Sequence, residues 1–103
     1  MSTQRQGVLA TQLAALQHLW SVANGHSGQC KIIARFLLGL YNGYRFKFDL
    51  TDFRCLDREL FLECLQVLAL DYAPTQEVHV HLGLPSSAFE ALAKEWGIKE
   101  VQS

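Results

Sequence analysis

The chain is poor in the residues that build special-purpose proteins. Two prolines and seven glycines among 103 residues exclude a collagen-like or low-complexity chain. Charge is scarce: 18% of residues are Asp, Glu, Lys or Arg, and the formal net charge is −1. No global basic field advertises nucleic acid, and no acidic mass suggests charge mimicry. Cysteine is limited to Cys30, Cys55 and Cys64. An odd count without CxxC spacing argues against a disulfide framework and against a zinc knuckle, so a reduced cytosol is the expected compartment. The strongest apolar run, Ile32 to Tyr41, is interrupted by Arg35 and is too short to span a bilayer. Residues 1–6 lack the clustered positive charge, apolar run and cleavage site of a secretory signal. The sequence contains no P-loop, dinucleotide fingerprint, GxSxG or HExxH.

What the chain does have is apolar mass. Half of its residues are hydrophobic and 11% are aromatic, which excludes a disordered tail. The length suits one domain, 1–103, and such a chain can remove roughly two-thirds of its unfolded surface from water. Residues 1–6 and 99–103 read as flexible ends.

From Val8 the pattern is helical. Leu9, Leu13, Leu16, Trp20 and Ala23 recur at steps of three and four, with Val8, Ala15, Leu19 and Val22 widening the stripe. Gly25 supplies a stop, and Ser27 an N-cap for a second helix. That helix sets Ile32, Ile33, Phe36, Leu37 and Leu40 on one side and Lys31 with Arg35 on another, before Asn42-Gly43. The two helices form an αα-hairpin. Asp49 caps a single turn. Asp57 caps a third helix with the stripe Leu60, Phe61, Cys64, Leu65 and Leu68, stopped by Ala73-Pro74. Ser87 and Glu90 form a capping box for a short last helix. Its inner face is Phe89, Leu92 and Trp96, and Gly97 ends it.

Two segments alternate strictly. Tyr44-Arg45-Phe46-Lys47-Phe48 sends aromatics one way and cations the other; Glu77-Val78-His79-Val80-His81-Leu82 separates aliphatics from polar groups. Alternation predicts strands. Pairing them gives a small antiparallel ribbon over the helices. The expected fold class is therefore α+β and mainly α.

The order of local signatures adds a resemblance. Ser27-Gly28-Gln29, Phe48-Asp49-Leu50-Thr51-Asp52, Glu77-Val78-His79 and Phe89-Glu90-Ala91-Leu92 with Trp96 follow one another along roughly residues 9–98. This order resembles a family of small proteobacterial domains of unknown function found on plasmid-like and integrative elements. Relatives often carry Thr where Ser27 stands, and either hydroxyl can cap. The resemblance implies a bacterial cytoplasmic protein and carries over no catalytic residue.

A few constellations could carry chemistry. On a strand, His79 and His81 point the same way and could share a metal with Glu77 as an oxygen ligand; a solvated polar face is the plainer account. Cys30, in the first turn of helix two, is a candidate nucleophile if a histidine lies near; a half-buried thiol is the plainer account. Asp49, Asp52 and Asp57 have capping work available to them. No cofactor is expected.

The charge map is more informative. Residues 1–30 carry only Arg5; residues 31–58 carry six cations against three acids, and residues 59–103 seven acids against two lysines. The basic middle interleaves Lys31, Arg35, Arg45 and Lys47 with aromatics, as a single-strand nucleic-acid binder would. A polarised surface serves protein contact equally well. Leu38, beside Lys31 and Arg35, extends with Tyr41 an apolar patch to the surface, unless helix two is simply central and covered on both sides. The sequence thus points to a non-enzymatic cytoplasmic interaction or accessory module. Its partner surface is expected at Lys31, Arg35, Leu38 and Tyr41, and a second copy is a candidate partner. The rivals are a nucleic-acid accessory protein using Lys31, Arg35, Arg45 and Lys47, and a metal or thiol enzyme using His79, His81 and Cys30.

Overall fold

The computed structural model describes residues 2–72 and 76–100, with side chains from residue 7 onward. Five α-helices follow in order: α1 (Ser2–Ala23), α2 (Gly28–Tyr41), α3 (Arg58–Tyr72), α4 (Val78–His81) and α5 (Ser86–Trp96), with a 3₁₀ turn at Leu50–Cys55 between α2 and α3. Helix α1 packs on both α2 and α3, and α2 in turn carries α4, α5 and the 3₁₀ turn. The core sits along these contacts. Leu16, Leu19, Ile33, Leu37, Leu38, Cys64, Val67 and Phe89 are all effectively inaccessible to solvent.

The helix ends follow the chemistry of their residues. Ser27 caps α2, its Oγ accepting from the Cys30 amide at 3.3 Å. Gly25 is required there by space, because a Cβ would come within 2.7 Å of the Cys30 sulfur. Asp57 caps α3, its Oδ1 accepting from the Leu60 amide at 2.9 Å. Asp49 caps the 3₁₀ turn by accepting from the Thr51 amide and hydroxyl. Gly97 closes α5 in the left-handed conformation, φ 65°, while the Ile98 amide reaches back to the Ala93 carbonyl. The Trp96 indole donates to the Ala23 carbonyl at 2.8 Å, satisfying the open end of α1.

The expected two-stranded ribbon is not formed, and the described residues contain no strand. The fold is all-helical, which corrects the α+β class. Both alternating segments are bent by local hydrogen bonds. Asn42 Oδ1 accepts from the Tyr44 and Arg45 amides, and the Asn42 carbonyl from the Phe46 amide. The chain therefore turns at 43–45 instead of extending. Tyr44 is left 90% exposed while Phe46 is buried, so the aromatics do not share a face. In the second segment Val78 and Leu82 lie four apart. That spacing satisfies a helical turn as well as a strand. Gly83, at φ 69°, ends this turn, with the Leu84 amide on the His79 carbonyl.

Three smaller expectations concern the ends of helices. Helix α1 begins at Ser2, Gln and Arg being good helix formers with nothing in residues 2–6 to break the turn. Pro85, rather than Ser87, occupies the N-cap position of α5, and Glu90 is engaged elsewhere. The Ala73-Pro74 stop lies outside the described residues.

Candidate interaction surface

Helix α3 is apolar on nearly every side, so its sequence alone does not choose an inner face. Packing on α1 chooses it: Leu60, Cys64, Val67 and Leu70 are buried. The thiol of Cys64 is pushed up to about 12 by that burial and by the neighbouring Glu63 charge. The expected inner stripe is therefore rotated. Leu65 and Leu68 point outward, 43% and 38% exposed, beside Leu62 at 46%. Arg58, Ala69 and Tyr72 complete this outer side. At 100° per residue, Leu65 stands nearly opposite the buried row. Within about 60° of Leu65, Arg58 is the only charged residue on the face. Val8 of α1 lies beside Gln66 at its edge, and Val8 and Leu9 are also exposed. From Gln6 to Cys30 the chain holds no Asp, Glu, Lys or Arg, and a polar link between α1 and α3 joins His18 Nδ1 to Glu63 at 2.6 Å. A shallow apolar groove borders the other edge, where Leu68 meets Phe36, Leu40, Phe48, Leu50 and Phe53.

The junction between the turn after α2 and α5 is finished in polar groups. Arg45 holds Glu90 through two bonds of 2.7 Å and reaches Glu100 through Nε at 2.5 Å. The Tyr41 hydroxyl donates to the same Glu90 carboxylate at 2.5 Å. This guanidinium first, and the phenol second, pull the Glu90 carboxyl down to about 2. The Tyr41 hydroxyl is raised in turn by its bond to Glu90. The cluster ties the turn after α2 to α5 and to the segment beyond it. Its four groups bond one another, and three of the five Arg45 N–H groups are committed to carboxylates.

The residues singled out in the sequence are dispersed. Leu38 is fully buried, because α2 is covered on both sides, so it contributes nothing to a surface patch. Lys31 is half-exposed, and Arg35 faces Asp52 at 3.9 Å. Tyr41 stacks on Phe89 with ring centroids 5.1 Å apart. Lys47 is exposed over the Tyr44 ring. His79 and His81, two apart on a helical turn, diverge by about 200°. His79 packs edge-on to Tyr41, and His81 contacts Gln76 at 3.1 Å. No group of three His, Cys, Asp or Glu side chains is arranged to hold a metal ion among the described residues. Cys30 Sγ accepts from the Ser27 hydroxyl at 3.1 Å, and no described hydrogen bond joins a histidine to it. Sequence reasoning passes over Leu62 and Tyr72 and assigns Leu65 and Leu68 to the core. The signal that could have found them is an excess of leucine on α3 beyond what one inner face can use.

Comparison with known families bears on the same stretch. A model for a family of unknown function, DUF7673, matches residues 13–97. The chain belongs to that family. The match spans α2, the 3₁₀ turn, α3, α4 and α5 whole, together with α1 from Leu13, so both the leucine face and the Arg45–Glu90 pair lie inside the family domain. No curated protein and no solved structure matches the chain. No described helix is long and apolar enough to cross a membrane.

Proposed function

We propose that the protein is a small cytoplasmic interaction module, not an enzyme, and that it docks through the outer face of α3. The observation that carries this reading is the row of Leu62, Leu65 and Leu68, each more than a third exposed, on a helix whose other side is already packed. A well-folded chain rarely leaves so regular an apolar row to water unless something covers it. The face around Leu65, where Arg58 is the one charged residue, fits the charge-poor centre of a protein interface. The nucleic-acid alternative finds less support, since Arg45 is paired with two carboxylates and Arg35 faces Asp52. An enzyme would need convergent polar groups in a cleft, whereas the Arg45 cluster is closed on itself. Three free thiols fit a reduced compartment. The signature order along the chain suggests a proteobacterial mobile-element setting for the module.

The test is capture from a bacterial host lysate with wild-type protein, Leu65→Glu and the α5 control Glu95→Lys as baits. Binding lost with Leu65→Glu and kept with Glu95→Lys is the expected result. Identical capture by all three overturns the assignment of the surface.

A further inference from the structure

We infer that the occupant of the α3 face is a second copy of this chain, packed antiparallel across a two-fold axis at Leu65. The inference rests on the docking reading above and names its partner.

The first argument is spacing. Arg58, Leu62, Leu65, Ala69 and Tyr72 are all exposed, and they are separated by four, three, four and three residues. That alternation has a mean period of 3.5, the seam by which two helices pack along their length. The second argument is symmetry. In an isologous contact residue i meets j and j meets i. With Leu65 on the axis, Leu65 meets its own copy, Leu62 meets Leu68, Arg58 meets Tyr72 and Ala69 meets Phe61, so no leucine of the face lacks an apolar partner.

The third argument is charge. Arg58 is the one charged residue on the seam, and it stands at the first position of its helix, where the helix dipole disfavours a cation. The last turn of α3 carries no basic residue and holds Asp71 beside Tyr72. An antiparallel copy brings that turn to Arg58, offering an aromatic ring and the negative end of a dipole. A parallel copy would set Arg58 against Arg58.

Area extends the contact beyond one helix. The 15 residues of α3 make a seam about 22 Å long. A single seam of that length falls short of the roughly 800 Å² per partner that a stable dimer buries. The flank of α1 beside Gln66, with Val8 exposed at the seam's edge, extends the contact. Two α1–α3 pairs then make a four-helix arrangement.

The experiment uses the full chain carrying Cys55→Ser, which removes the exposed thiol. Sedimentation equilibrium should give a mass rising from one to two chains with concentration. Leu65→Asp should weaken association at least roughly thirtyfold, the effect of a central anchor, with an unchanged circular dichroism spectrum. Leu65→Cys, a mild change at an exposed site, should form an intermolecular disulfide on oxidation, whereas Leu62→Cys should cross-link efficiently only when mixed with Leu68→Cys. A monomer at every concentration overturns the second-copy inference. If Leu65→Asp still abolishes capture of a host protein in that case, the docking surface survives with a different occupant. A dimer indifferent to Leu65→Asp, or one in which the Leu65→Cys variant does not cross-link, overturns the two-fold arrangement.

Discussion

Helices α3 and α5 each bury one side, yet they finish the other side in opposite ways. On α5 the outer positions are Ser86, Ser87, Ala91, Lys94 and Glu95, and Glu90 is held by Arg45 and Tyr41. On α3 the exposed positions are Leu62, Leu65, Leu68, Ala69 and Tyr72, with Arg58, Glu59 and Gln66 around them. Both helices are fully able to seal the core, through Phe89, Leu92 and Ala93 on one and Leu60, Cys64, Val67 and Leu70 on the other. The outward leucines are therefore surplus to folding. A surface that only had to stay soluble would look like α5.

This contrast can be broken at several points, the largest effect first. Leu38→Asp puts a carboxylate where no solvent reaches; it should leave the chain unfolded, seen as loss of the helical circular dichroism signal. Phe89→Ala removes a buried ring that contacts Trp20 at 4.8 Å and Tyr41 at 5.1 Å. It should cost about 3–5 kcal/mol in urea unfolding. Glu90→Gln should cost about 1 kcal/mol or less, since the pair with Arg45 is partly solvated. Its effect should also depend on pH. The folded chain holds the Glu90 carboxyl at about 2 against an ordinary 4.5. Its stabilisation is thus present above about pH 4.5 and lost as pH falls towards 2. Acid titration of unfolding free energy should show wild type and Glu90→Gln converging across that window. Leu65→Ala, judged in the monomer at low concentration, should shift stability by less than about 0.5 kcal/mol. A loss of several kcal/mol there would make α3 a core helix on both sides and erase the contrast.

Much of the helical frame was legible in the sequence. Ser27, Asp49 and Asp57 cap the turns they were expected to cap, and Gly25, Asn42 and Gly97 end theirs, because each acts through hydrogen bonds within a few residues of itself. The two supposed strands were misread because five or six alternating residues do not specify a period. Val78 and Leu82 fit a helical turn equally well, and the side chain of Asn42 together with the left-handed Gly83 decided the matter locally. The exposed leucine face of α3, the docking surface we propose, was hidden for the opposite reason. Helix α3 has leucine on all sides, and only contact with α1 tells which of them are outside. Leu38 failed as a surface residue on the same ground, since α2 is covered from both sides. Part of the sequence's polarity, basic in the middle and acidic at the end, is spent within the molecule where Arg45 meets Glu90 and Glu100.

The most direct test of the surplus-leucine account is the solution mass of three proteins by sedimentation equilibrium: wild type, Leu65→Asp on α3 and Ala91→Asp on α5. The account predicts self-association in wild type and Ala91→Asp, and a monomer with unchanged helicity in Leu65→Asp. Equal masses for all three at every concentration would contradict it.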